Sequence, residues 1–139
     1  MPLSADDITG AFAALKTYGR RCMDLAELVR AILDGDLLMA RQWVADAYRA
    51  HMQWEQIEQP RGLSDREMSV AAAVVELLAS RAGAASPFWT AKVGASEEPV
   101  ILDPGLEQMP RSYARAKQHG PEPFRRRNLV APPDFLAVA

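Results

Sequence analysis

The chain has 139 residues, of which 49% are hydrophobic and 24% are charged, and its formal net charge is −2. This composition is typical of a single globular domain, and 16 basic against 18 acidic residues is not the basic excess of a nucleic-acid-binding module. The one cysteine, Cys22, excludes an internal disulfide and favours a reducing compartment. An acidic N-terminal segment and the lack of an apolar stretch of about 18–20 residues predict a cytoplasmic protein with no membrane span.

The distribution of proline divides the chain into two parts. Eight of the ten prolines lie between Pro87 and Pro133. Proline lacks a backbone N–H and restricts the residue before it, so long regular elements are not expected there. We predict a mainly α protein: a compact bundle of about four helices in residues 4–82, inside a helical core of residues 1–83, and a proline-rich C-terminal arm of residues 84–139. The arm is expected to be mostly irregular with short helices, to belong to the same single domain, and to wrap either that core or a partner.

Helix-capping signals mark the first two predicted helices. Ser4 is a suitable N-cap for a first helix that ends near Gly19. Asp24 followed by Glu27 is a variant of the capping box and begins the second helix, which Gly35 ends. The short connection after this helix predicts that it packs against the next one as a hairpin or corner.

The next two helices have equally clear boundaries. Apolar residues at helical spacing predict a third helix over about residues 37–52. Ser64 and Glu67 form a full capping box that begins a fourth helix over residues 65–81. This helix is apolar on nearly every face, which predicts that it is the central buried helix, and Gly83 supplies its C-terminal cap.

The arm contains signals for short elements only. Ser86 followed by Pro87 is typical of a helix start, with the serine as the cap. Residues 99–102 form either a short strand or an extended segment. Residues 111–118 and 122–127 have room for about two turns and one turn of helix. The arm's large apolar side chains are too numerous for a disordered linker, so the arm is expected to dock on its own helices or on a partner.

Motifs for chemistry are missing from the sequence. No serine nucleophile elbow, phosphate-cradling glycine loop or pair of catalytic carboxylates occurs. His51 and His119 stand apart from each other and from any carboxylate at metal-ligand spacing. We therefore expect no enzyme activity, no metal and no cofactor.

The densest charge cluster is the run of three arginines at residues 125–127. One interpretation pairs them with acidic side chains or helix C-termini of the chain's own core. A second gives them an acidic surface on a partner protein, and a third gives them phosphate or nucleic acid. The third is disfavoured because the arm holds only 7 basic residues against 6 acidic ones.

Six short segments carry a family resemblance. They are Ala40-Arg41-Gln42-Trp43-Val44, Pro60-Arg61-Gly62-Leu63, Ser86-Pro87-Phe88-Trp89-Thr90, Met109-Pro110-Arg111-Ser112, Pro121-Glu122-Pro123-Phe124-Arg125-Arg126-Arg127-Asn128-Leu129 and Pro133-Asp134-Phe135-Leu136. Over about residues 28–139 the chain resembles a family of small bacterial proteins whose own activity is uncharacterised. The resemblance implies a partner class by gene neighbourhood, since members are encoded beside nucleotidyltransferase-like proteins of the toxin–antitoxin type, and it transfers no catalytic residue.

Residues and resemblance together predict a non-enzymatic protein-interaction module. The resemblance implies that it is the neutralising, antitoxin-like partner or an accessory partner of a nucleotidyltransferase-like protein. In that hypothesis the arginine run engages the partner's metal-holding carboxylates, and its replacement by alanine leaves the fold intact. Two alternatives remain: a nucleotide- or RNA-binding module that uses the same arginines with Tyr113 or Trp89 as a stacking platform, and a structural subunit that forms a homo-oligomer. The predicted partner-binding residues are Trp89, Met109, Arg111, Tyr113, Phe124, Arg125, Arg126, Arg127 and Phe135.

Overall fold

The structure is a computed structural model, and it describes residues 24–137. The predicted helix of residues 4–19 and the cysteine at position 22 lie outside the described residues. Within the described part the protein is mainly helical and compact, as predicted, with four helices longer than one turn and several short 3-10 turns.

The first two described helices form a corner around one glycine. Helix α1 spans Leu25–Leu33 and helix α2 spans Leu37–Arg49. Gly35 between them has φ +82°, in the left-handed region that glycine adopts without strain. Asp24 caps α1 as predicted, but its side chain accepts from the N–H of Ala26 at 3.0 Å. The predicted capping box is not formed, because the Glu27 N–H donates to the backbone carbonyl of Asp24.

Helix α3, Asp65–Arg81, is the centre of the fold. The predicted capping box is confirmed: Ser64 Oγ accepts from the Glu67 N–H at 3.1 Å, and Glu67 Oε1 accepts from the Ser64 N–H at 2.8 Å. Every residue from Ser69 to Ala79 is buried, because other elements cover this helix on all sides. The predictions of its bounds and of its central position are therefore both confirmed.

The helix predicted over residues 37–52 ends earlier than expected. Helix α2 stops at Arg49, and His51 takes a left-handed φ of 54°. A 3-10 turn at Trp54–Gln56 follows and places the Trp54 ring edge-on to Tyr48, with 5.6 Å between ring centroids. This aromatic contact packs the C-terminal end of α2 against the core.

The arm contains short elements separated by irregular segments, as predicted. A 3-10 helix spans Phe88–Lys92, and its N-cap is Pro87 with no side-chain capping bond, so the prediction that Ser86 is the cap is wrong. The remaining elements are strand β1 (Val100–Ile101), a 3-10 helix (Pro104–Gln108), helix α4 (Pro110–His119), helix α5 (Glu122–Arg125) and strand β2 (Leu129–Val130).

The two strands pair in parallel and bring the middle and the end of the arm together. Val100 lies opposite Leu129, and Ile101 lies opposite Val130. The Val100 N–H donates to the carbonyl of Asn128 at 3.1 Å. This resolves the choice left open for residues 99–102, which form a short strand.

The arm packs on its own helices, which decides between the two docking alternatives. Its apolar side chains enter the same core cluster as those of α1, α2 and α3. The arm residues buried in that cluster are Val100, Leu102, Phe124, Leu129, Ala131, Phe135 and Leu136. Residues 24–137 contain no helix with the length and apolarity needed to cross a membrane.

Candidate interaction surface

An ion pair holds the end of α5 against the central helix. Arg127 donates from Nη1 to Glu76 Oε1 at 2.8 Å and from Nη2 to Oε2 at 3.0 Å. The same guanidinium donates to the carbonyls of Thr90 at 2.9 Å and Pro123 at 3.0 Å. Both side chains are buried, and this bidentate geometry is the strongest that arginine and a carboxylate form.

The electrostatics of this pair keep Glu76 charged. Burial pushes the pKa of Glu76 upward, but the hydrogen bond and the positive charge of Arg127 outweigh burial, so the pKa lies below its ordinary value. Arg126 adds a further favourable charge. The carboxylate and its arginines therefore form a structural clamp between the helical core and the arm.

The three consecutive arginines serve three different contacts. Arg127 points inward to the core, as the first of the three interpretations predicted. Arg126 is partly exposed and binds both Glu76 and Glu122. Arg125 donates from Nε to the carbonyl of Gly120 at 2.7 Å and remains exposed. The run is therefore not a single surface that faces one partner.

Three other residues predicted to bind a partner are placed in or against the core. Phe124 and Phe135 are buried and meet edge-on with 5.5 Å between ring centroids. Trp89 is half-buried and donates from its indole N–H to the carbonyl of Ile57 at 2.8 Å. Phe124, Phe135 and the buried arginine of the clamp have no exposed surface for a partner, because the arm needs them to close its own core. This corrects their assignment.

The remaining predicted residues lie on or beside α4, which has the largest net positive charge of the five helices of the described fold. Met109 is 48% exposed, Arg111 is exposed and Tyr113 is half-buried. The helix also carries Arg115 and Lys117, and it contains no acidic residue. Within residues 24–137, none of these three cations forms an ion pair with a carboxylate.

Sequence reasoning missed two of these cations. Arg115 and Lys117 were not predicted, because they are not consecutive and do not form a dense charge run like that at residues 125–127. The available signal was the stretch from Arg111 to His119, which has basic residues and no acidic one. Lys117 Nζ lies 5.5 Å from the ring centroid of Tyr113. This cation–π contact joins two side chains one turn apart on α4.

A second surface, not predicted, is a groove between α1 and α2 with a volume of about 340 Å³. Trp43 lies in it and donates from its indole N–H to the carbonyl of Asp24 at 3.2 Å. The apolar lining is completed by Leu28, Ala31 and Met39, and the charged lining consists of Glu27, Arg30, Asp34 and Asp36. We call this surface the α1–α2 groove.

A larger cleft of about 850 Å³ lies between the start of α3 and residues 92–100. Its charged lining is mixed, with Arg66 and Lys92 opposed by Asp65, Glu97 and Glu98. In the described part of the chain, every buried side-chain nitrogen and oxygen has a hydrogen-bond partner. The cleft therefore contains no buried, unsatisfied side-chain polar atom that would point to a ligand.

No group of three or more His, Cys, Asp or Glu side chains that could hold a metal ion occurs among residues 24–137. Comparisons with protein families, with curated proteins and with solved structures found no match for the chain.

Proposed function

We propose that the protein is a non-enzymatic interaction module that binds an acidic surface of another protein through helix α4. The observation that carries the proposal is the charge of this helix: Arg111, Arg115 and Lys117 are exposed, and no carboxylate within residues 24–137 pairs with them. Helix α4 has no acidic residue of its own, although the net charge of the whole chain is −2.

The arrangement of these side chains suits a carboxylate-rich partner. Arg111 and Arg115 are four residues apart, so they lie on the same face of the helix. Guanidinium groups bind carboxylates bidentately and are weakly hydrated, which favours arginine at protein interfaces. Met109 lies just before the helix and is half exposed, which gives the charged face an apolar neighbour of the kind that anchors an interface.

The resemblance to proteins encoded beside nucleotidyltransferase-like proteins suggests the kind of partner. Such an enzyme holds its metal with acidic residues, and a basic helix placed over them would mask the active site. In this proposal the protein is an antitoxin-like, neutralising partner. Its contact residues are Met109, Arg111, Tyr113, Arg115, Lys117 and Arg125, which keeps four of the nine residues predicted from the sequence and adds two.

The first experiment is a pull-down of the tagged full chain from its native cell at about 0.3 M salt, which screens loose electrostatic contacts, with bound proteins identified by mass. The test of the surface is then the double variant Arg111→Glu, Arg115→Glu. We expect binding of the captured protein to weaken at least tenfold, or about 1.4 kcal/mol. The matched control is Arg41→Glu, Arg61→Glu, which reverses two exposed arginines away from α4.

Unchanged binding in the α4 variant would refute the proposed surface. Capture of RNA instead of protein, with affinity that collapses between low and physiological salt, would favour the nucleic-acid alternative. Replacing the arginines at 125–127 with alanine is not a clean test, because Arg127 is buried in the clamp and its loss would damage the fold.

A further inference from the structure

We propose that two copies of this chain form a dimer in which helix α4 of each copy binds in the α1–α2 groove of the other. The inference goes beyond the proposed function and does not depend on it, since it concerns the chain alone. It rests on three observations. Apolar side chains are exposed beside the α1–α2 groove, the groove and α4 carry opposite charge, and both surfaces lie near the contact between Gly35 and Pro104.

Two of the four exposed large apolar side chains among the described residues lie at the start of α2, beside the groove. Leu38 is 81% exposed and Met39 is 59% exposed, and they are neighbours at the start of α2. Met39 also lines the groove, beside the ring of Trp43. Single exposed apolar residues are common in monomers, but adjacent ones beside an apolar groove mark a binding surface.

The groove and α4 carry opposite charge. Glu27, Asp34 and Asp36 line the groove against one cation, Arg30, and within residues 24–137 none of the four forms an ion pair. Helix α4 has three cations and no acidic residue. Complementary charge selects the partner and the register of an interface, so the groove is suited to this helix.

Both surfaces lie beside the contact between Gly35 and Pro104. A Cβ atom built on Gly35 would come within 3.1 Å of Pro104 Cγ, so the corner between α1 and α2 touches the 3-10 helix Pro104–Gln108. This 3-10 helix packs against α4 in turn. A two-fold pair can exchange two surfaces that lie near one contact, which forms a closed dimer with two equal contacts.

The side chains fit these roles. The stems of Arg111 and Arg115 can cover the apolar groove while their guanidinium groups reach the carboxylates at its edge. Met109, at the start of α4, supplies an apolar group for the region of Trp43. The same helix carries the proposed contact with another protein, so dimer and complex would exclude each other.

The test is sedimentation velocity of the purified full chain at concentrations from about 1 to about 200 μM, because a weak dimer dissociates in this range. We expect a dimer whose dissociation constant rises when salt is increased from about 0.05 to about 0.5 M. Asp34→Arg or Arg115→Asp alone should weaken the dimer at least tenfold. The two substitutions in one chain should restore it, because each contact then regains opposite charges.

A matched pair of apolar substitutions tests the groove itself. Met39→Ser, at a groove-lining residue that is 59% exposed, should weaken the dimer several-fold, whereas Phe88→Ser, at a residue outside the groove that is 78% exposed, should leave it unchanged. Both side chains are exposed, so neither change should lower the melting temperature. A chain that stays monomeric throughout, or a dimer that the charge reversals do not weaken, would overturn the proposal and leave the partner-binding proposal untouched.

Discussion

Arg127 and Glu76, 51 residues apart in sequence, form a buried bidentate ion pair that joins the arm to the central helix. The pair is surrounded by further acceptors, since Arg127 also donates to the carbonyls of Thr90 and Pro123. A buried charge is stable only when its partner and its hydrogen bonds are both present. The pair therefore makes the position of α5 dependent on α3.

Replacing Arg127 with alanine should destabilise the protein by about 3–5 kcal/mol, because Glu76 is then left buried without its main partner. Urea unfolding followed by circular dichroism would measure this loss. The control is Arg126→Ala, which removes a partly exposed neighbour that binds the same carboxylate. That change should cost about 1 kcal/mol or less, and equal losses in the two variants would contradict the assigned roles.

The same pair predicts a dependence of stability on pH. The pKa of Glu76 in the folded protein lies below its ordinary value of 4.5. A carboxylate of this kind stabilises the fold above its unfolded pKa, and the contribution is lost as the pH falls through the folded pKa. We therefore expect the difference in unfolding free energy between the native chain and Glu76→Gln to be constant near neutral pH and to shrink below about pH 4.5. A difference that stays constant down to pH 3 would contradict this cause.

Local signals were sufficient to predict the central helix of the fold. The capping box at Ser64 and Glu67, with a continuous apolar run behind it, placed helix α3 at its observed bounds. Each signal acts within about one turn of the helix, so it can be read from neighbouring residues. The end of α2 was predicted too late, because nothing local marks Arg49 as its last residue, and the contact between Tyr48 and Trp54 is made only by the fold.

The arm was harder to predict because its contacts join residues far apart in sequence. Phe124 and Phe135 were predicted to bind a partner, but both side chains are buried. The local sequence of an aromatic residue in a proline-rich segment does not show whether its side chain is buried in the core or exposed. The parallel pairing of Val100 with Leu129 also cannot be predicted from local sequence patterns, because the two residues are far apart along the chain. Of the proposed contact residues, the sequence predicted Met109, Arg111, Tyr113 and Arg125, but it did not indicate the α1–α2 groove.

Closure of the core by the arm predicts a large effect of Phe124. This side chain is fully buried against Phe135, so Phe124→Ala should destabilise the protein by about 3–5 kcal/mol. Thermal unfolding would show it as a lower melting temperature. Phe88→Ala is the matched control, because that ring is exposed and its loss should change stability by about 0.5 kcal/mol or less. Similar melting temperatures for the two variants would show that the arm does not close the core.

Gly120, between α4 and α5, is the described glycine with the least room for a side chain. A Cβ atom there would lie 2.5 Å from the carbonyl oxygens of both Ala116 and Ala131, and backbone atoms cannot move aside as a flexible side chain does. We expect Gly120→Ala to destabilise the protein by about 1–3 kcal/mol in urea unfolding, the range for overpacking. Gly94→Ala is the control, since a Cβ atom there meets no other atom within 4 Å. If both variants unfold at the same urea concentration as the native chain, then α4 does not approach the end of the arm as closely as the structure shows. The residues assigned to the α4 surface would then be wrong.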